Sequence, residues 1–336
     1  LERESEETIA AAADAISAAR NPIMIINGTA LTETGLAAAA RLKAAGLRVM
    51  TDTFYGKMRR GAGVFAPERM QYFAEAAMED LEGSDLMLLA GTSAPVAFFS
   101  YPGKPSLLAP DGCEVFDLGD AATDSAATLA ALADHMQADE AAAPQSLIQP
   151  DHPSGELTAK AVGQSLARHL PENALVSDDG VSNGLLSYLP TMNAPAHDWM
   201  MLTGGASGQG MPLALGAAIA APDRKVICLS GDGAGMYTNQ ALWSMAREGA
   251  DVTTIVFVNH SYRILNIELY RTGAGNPGPT AKDMLSIGGP DIDWVSLSTS
   301  MGVPAVEATT AEAFDRELAL ALRESGPRLI AAVVPG

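Results

Sequence analysis

Short, continuously apolar runs punctuate this chain, and between them lie longer stretches in which apolar residues recur every three or four positions. Runs of that length, bounded by glycine or turn residues, predict strands buried on both faces, and the longer periodicity predicts helices. In the first part of the chain the pattern predicts helices over 6–19 and 34–45 and strands over 22–27, 48–52, 86–90 and 114–118. Further on it predicts helices over 156–169, 212–220, 236–248 and 311–323. The strands expected there are 174–177, 200–203, 225–230, 252–258 and 328–333. Strands alternating with helices imply an α/β fold of two doubly wound parallel-sheet domains with helices on both faces. Residues 139–155 are rich in proline and polar residues and lack periodicity, which places one domain at 1–140, a linker at 141–153 and a second domain at 154–336. Leu213, Leu215, Ile219, Met236, Leu242 and Met245 recur at helical spacing and read as a core stripe.

Composition agrees with two cores and narrows the partners. The 336 residues exceed one ordinary domain, and 48% are hydrophobic. A net charge of −19 opposes binding to nucleic acid or an anionic membrane, since phosphate must be met by clustered Lys and Arg. No apolar run reaches the ~18 residues of a membrane span, and the acidic start Leu1-Glu2-Arg3-Glu4 lacks the features of an export signal. The expectation is a cytoplasmic protein. Cys113 and Cys228, both within apolar runs, read as buried thiols rather than a disulfide framework.

The densest candidate chemistry runs from Gly231-Asp232-Gly233 to Asn259. Asp232 sits at the carboxyl end of one expected strand and Asn259 at the end of the next, and the intervening residues 234–258 suffice for one helix and one returning strand. Ligands of open α/β sheets bind beyond the carboxyl ends of strands, and Gly233, Ala234 and Gly235 would offer backbone N–H groups to an anion. Magnesium takes oxygen ligands shared among protein, water and phosphate, a recipe that one Asp and one Asn fit. Alone, Gly-Asp-Gly is also a common turn. Asp178 and Asp179 are neighbours on a strand and face opposite ways, so they should not share a proton.

This spacing resembles the binding motif of thiamine diphosphate enzymes. Thr203-Gly204-Gly205-Ala206-Ser207-Gly208-Gln209-Gly210-Met211-Pro212-Leu213 is similar to the glycine-rich segment that contacts the aminopyrimidine in the acetolactate synthase and benzoylformate decarboxylase group. The resemblance implies a central Rossmann-like scaffold domain followed by a diphosphate-binding domain. It implies Mg²⁺ on Asp232, Asn259 and the Ser261 carbonyl, with Gly180, Val181, Ser182, Gly233, Ala234 and Tyr262 around the diphosphate and Gly205 and Ser207 at the pyrimidine. Helix packing is the competing reading for Gly204 to Gly210, and helix capping for Ser182 and Asn183.

Ile264 and Leu265 are candidates for the substrate pocket, whereas His260 and Arg263 read as surface residues at a helix start. By resemblance the activity is decarboxylation or carboligation of a small 2-oxoacid, in a homo-oligomer, either dimer or tetramer. The activating glutamate would come from an N-terminal pyrimidine-binding domain not included in this stretch, so that the chain alone would be inactive. Two positions depart from the family. Ser207 stands where many relatives carry a bulky apolar residue beneath the bent cofactor, and Glu268 stands where branched-chain acetolactate synthases carry Trp. A non-catalytic cofactor-binding paralogue or assembly module is the alternative.

A nicotinamide oxidoreductase is a weaker rival, because Asn27-Gly28-Thr29 is not a dinucleotide fingerprint. That segment reads as a tight turn, the first domain as a scaffold without FAD, and the basic stretch Tyr55 to Gly61 as a solvated loop.

Overall fold

The computed structural model describes residues 1–101 and 103–336, which divide into two compact units, Leu1–Gln145 and Ser146–Gly336. In the first unit five parallel strands lie in the order β4 (Glu68–Arg69), β2 (Arg48–Thr51), β1 (Pro22–Ile26), β5 (Leu86–Ala90) and β6 (Glu114–Asp117). Helices α1 (Glu6–Ala18), α2 (Glu33–Ala44), α3 (Ala74–Leu81) and α4 (Ser125–His135) accompany them. Ile23 to Ile26 and Leu86 to Ala90 are all buried, as strands covered on both faces require. At the carboxyl end of β1, Asn27 closes the turn into Gly28 with its own side chain and donates to Asp52, which also accepts from Thr92, both at 2.6 Å.

The second unit carries parallel strands in the order β11 (Ala305–Ala308), β12 (Arg328–Val333), β10 (Val252–Val258), β9 (Val226–Gly231), β7 (Leu175–Asp179) and β8 (His197–Met200). Its helices are α5 (Ala159–His169), α6 (Gly184–Tyr188), α7 (Gly210–Ala220), α8 (Asp232–Thr238), α9 (Ala241–Glu248), α10 (Arg263–Arg271), α11 (Pro279–Met284), α12 (Trp294–Ser300) and α13 (Ala311–Ala321). Met211 and Ala214 from α7, Leu242 and Met245 from α9 and Trp294 from α12 pack on Cys228, Val256 and Leu329 of the sheet. From β7 the chain runs outward to β8, then returns to β9 on the other side of β7. The order therefore reverses between β7 and β9, and a crevice opens there beyond the carboxyl ends of the strands.

Several expectations are corrected. The helix expected over 236–248 is two helices, the first beginning at Asp232, and Asn239 ends it by donating its side-chain amide to the Met236 carbonyl. The strand expected over 200–203 is β8, three residues earlier, because buried His197 and Asp198 belong to it and Arg224 neutralises Asp198. Helix α5 starts at Ala159, where Thr158 caps it by accepting from the Ala161 N–H. Ile219 and Met236 are exposed at 60% and 45%, so the core stripe narrows to the others.

Cys113 follows a turn and is only half-buried. The stretch Tyr55 to Gly61 is not a solvated loop. It contains the short strand β3 (Met58–Arg60), whose two-residue alternation turns Met58 and Arg60 inward together.

Candidate functional site

Strand β9 delivers Asp232 to the crevice as the first residue of α8, behind Gly231 in an extended cap conformation. The carboxylate is 3% exposed, and both oxygens are held by backbone. Oδ1 accepts from the Gly233 N–H at 2.8 Å, while Oδ2 accepts from Asn259 N–H at 3.0 Å and His260 N–H at 2.8 Å. Asp232 thus ties the end of β9 to the end of β10. Burial pushes its pKa above the ordinary carboxylate range, against the lowering effect of those three N–H groups. Among the described residues no lysine or arginine makes an ion pair with it.

Asn259, itself buried, turns the chain by accepting the Ser261 N–H on Oδ1 at 3.2 Å, and His260 takes a positive φ of 53° to allow it. The Tyr262 N–H then bonds the Leu285 carbonyl, which fixes the start of α10. The Tyr262 ring lies directly against Gly233. A Cβ there would meet Tyr262 Cε1 at 2.7 Å and Ile287 Cδ1 at 3.0 Å. Gly235 is equally constrained, since its Cβ would meet Trp294 Cη2 at 2.7 Å.

Across the crevice, Asp179 pairs in register with Ser230, so residues 180–182 and 231–234 leave the sheet side by side. Asp178 accepts from Gly180 N–H at 2.9 Å and from the Trp199 indole N–H at 3.1 Å. Asp179 faces the other way. Its Oδ2 accepts from Gly208 N–H at 2.7 Å and Gly210 N–H at 3.2 Å, and burial raises it to about 6. The two carboxyls have separate partners, as neighbouring strand residues should.

Val181 adopts a positive φ of 50° and is exposed. Asn183 does not cap α6 with its side chain, and its buried Oδ1 has no hydrogen-bond partner among the described residues.

The glycine-rich segment divides in two. Gly208 and Gly210 are packing glycines, whose Cβ atoms would meet Tyr237 at 2.7 Å and Asp179 at 2.6 Å. Gly204 and Gly205 are exposed with positive φ and open space around both, so neither is small in order to pack. Ser207 is exposed beside them, bonding the Gly205 carbonyl through its N–H. Leu265 is half exposed on α10, a helix without buried residues, and Ile264 is partly buried beside it.

The crevice thus gathers Gly180, Val181, Ser182, Asp232, Gly233, Ala234, Asn259, Ser261 and Tyr262 around the ends of three adjacent strands. Its donor set for a cation is oxygen only: a buried carboxylate without a lysine or arginine partner among the described residues, an amide oxygen and a backbone carbonyl. That chemistry fits a hard cation such as Mg²⁺ shared with phosphate. The structural work of Asp179 and Asp178 was hidden in sequence, because their partners lie 21 to 31 residues away.

Residues 179–332 match the family described as thiamine pyrophosphate enzyme, C-terminal TPP binding domain. A Mycobacterium tuberculosis protein that bears the provisional name acetolactate synthase large subunit IlvX is 48% identical over 315 residues, covering 93% of this chain and 61% of that protein. The Pseudomonas aeruginosa benzoylformate decarboxylase is 29% identical over 266 residues, covering 74% of this chain and 48% of the relative. The chain therefore spans under two thirds of the length of either relative. Among solved structures, a Rhodococcus jostii thiamine diphosphate-dependent 4-hydroxybenzoylformate decarboxylase shares the fold with a TM-score of 0.79 at 23% identity, over 100% of this chain and 65% of the other. The crevice between β7 and β9 thus lies within the stretch that matches the thiamine pyrophosphate enzyme C-terminal TPP binding domain, and the chain is similar to proteins of the acetolactate synthase and benzoylformate decarboxylase group.

Proposed function

We propose that the second unit holds Mg²⁺–thiamine diphosphate and forms the cofactor-binding half of an active site for decarboxylation or carboligation of small 2-oxoacids. The observation that carries this reading is Asp232, a buried carboxylate at the sheet's switch point with Asn259 and the 180–182 turn beside it and, among the described residues, no lysine or arginine paired with it. Asp232, the Asn259 side chain and the Ser261 carbonyl would hold the metal, and Gly180, Val181, Ser182, Ala234 and Tyr262 would surround the diphosphate. The Gly233 N–H already serves Asp232, so its part is to admit the Tyr262 ring rather than to bond phosphate. Bound there, the cofactor supplies a carbon nucleophile for the substrate carbonyl. The chain's own residues orient it, with the exposed Gly205 and Ser207 toward the pyrimidine and Ile264 and Leu265 toward the substrate.

By family resemblance the activating carboxylate belongs to a pyrimidine-binding domain, so turnover requires that domain beside these two units. A second reading is a cofactor-holding paralogue without turnover, favoured by Ser207, whose exposed side chain offers little apolar volume beneath a bent cofactor. Calorimetric titration with thiamine diphosphate and Mg²⁺ tests both readings. The native chain should give saturable heat that Asp232→Ala loses, and no heat from the native chain overturns them. Turnover of pyruvate or benzoylformate once a pyrimidine-binding domain is supplied separates enzyme from paralogue.

A further inference from the structure

Away from the crevice, the second unit brings two histidines onto one carboxylate. His152 Nδ1 lies 2.6 Å from Asp315 Oδ2, and His169 Nε2 lies 2.9 Å from Asp315 Oδ1. The two imidazole rings are 5.9 Å apart. We propose that His152, His169 and Asp315 form a site for a divalent transition metal of the zinc class, pinning the segment before α5 to α5 and α13.

The ligand types point to that class, since imidazole nitrogen with one carboxylate suits zinc and its first-row neighbours rather than Mg²⁺ or Ca²⁺. Three protein ligands with water in the fourth position is a common zinc arrangement. The distances allow it: the three ligand atoms lie within 4.8 Å of one another, against roughly 3.3 Å between ligand atoms on a tetrahedral ion. The exposed ring of His152 can supply the small closure, while His169 and Asp315 stay put.

The framework around the three is already fixed. Ser165, one helical turn before His169 on the same face of α5, donates to Asp315 Oδ1 at 2.9 Å. That is the supporting bond by which a metal-binding carboxylate is usually oriented. The segment bearing His152 is tethered on both sides. Arg168 donates to the Pro150 carbonyl at 2.8 Å, and Gly155 N–H donates to Glu312 one turn before Asp315 at 2.8 Å. Gly155 also accepts the Ala311 N–H. Asp315 is 7% exposed, and its partners are these two imidazoles and a hydroxyl, with no Lys or Arg among the described residues. An ion bridging all three would lock the entry of the chain into the second unit.

The inference does not depend on the proposed cofactor. The test uses the whole chain, stripped with chelator and dialysed against Zn²⁺ and, separately, Co²⁺. About one zinc should be retained per chain in excess Mg²⁺, with visible ligand-field bands on the Co²⁺ form. His152→Ala, which removes an exposed ring and so spares the core, should weaken zinc by roughly tenfold or more and abolish the bands. Asp315→Asn should do the same. Asp232→Ala should leave zinc unchanged while removing the heat of thiamine diphosphate binding, so the two sites fail independently. Zinc uptake in His152→Ala equal to that of the native chain, or no retained zinc at all, overturns the proposal.

Discussion

At position 179 one carboxylate oxygen carries two glycine N–H groups, while the other, Oδ1, is buried without a hydrogen-bond partner among the described residues. An ionised carboxyl in that place loses water on Oδ1 and gains nothing there, which is why burial raises its pKa from 3.8 to about 6. A raised carboxyl stabilises the fold when protonated. Its contribution is whole below the unfolded value near 4, falls as pH rises toward about 6, and is flat above. The loss amounts to about 3 kcal/mol at most. Asp179→Asn keeps an acceptor for Gly208 and Gly210 without the charge. Its unfolding free energy in urea should therefore lack this fall, making it the more stable protein at pH 7.5 and no better at pH 4.5. Parallel pH profiles for the two proteins would show that the carboxyl is solvated.

Helix α8 illustrates how elements set the site. Gly235 sits where α8 crosses Trp294 of α12 and Met211 of α7, and an added Cβ would lie only 2.7 Å from Trp294 Cη2 and 3.1 Å from Met211 Cε. Gly235→Ala must push α8 off both, an overpacking worth about 1–3 kcal/mol, and the helix carries Asp232 at its first turn. The variant should lose several degrees of thermal midpoint and weaken thiamine diphosphate binding, measured by calorimetry. A native midpoint with native affinity would show that the tryptophan gives way instead.

The same scale explains what was legible in sequence. β5, β10 and β12 begin and end where their apolar runs do, because strands covered on both faces leave no polar alternation to misread. β8 was displaced because His197 and Asp198 are polar yet buried, and only the folded chain brings Arg224 to Asp198. α4 is not legible in the pattern, because its alanine-rich segment carries little periodic contrast, and α3 is only eight residues long. Asp232 and Asn259 were readable because each ends an apolar run. The orphaned Asn183 oxygen was not, since nothing local marks it.

The whole molecule has two sheets, each with a reversal of strand order, and only one reversal is left open to chemistry. In the first unit Asn27, Asp52 and Thr92 bond one another across the ends of β1, β2 and β5, so these groups already satisfy themselves. In the second, Asp232 has no lysine or arginine partner among the described residues, and Gly204 and Gly205 face open space. A chain of net charge −19 also repels a bare diphosphate, which favours its approach as the magnesium complex. Ligand that binds only the native state suppresses opening of the segments it touches. Amide hydrogen exchange with saturating thiamine diphosphate and Mg²⁺ should therefore slow at 180–183, 203–207, 231–235 and 259–262. Strands β1 and β5 should keep their rates. Magnesium alone should protect 259–262 but not 203–207, since the proposed metal ligands lie just beyond the ends of β9 and β10 and the glycine-rich segment would face the pyrimidine. Protection centred on Asn27 and Asp52 would move the cofactor to the first unit and overturn the assignment of the crevice between β7 and β9.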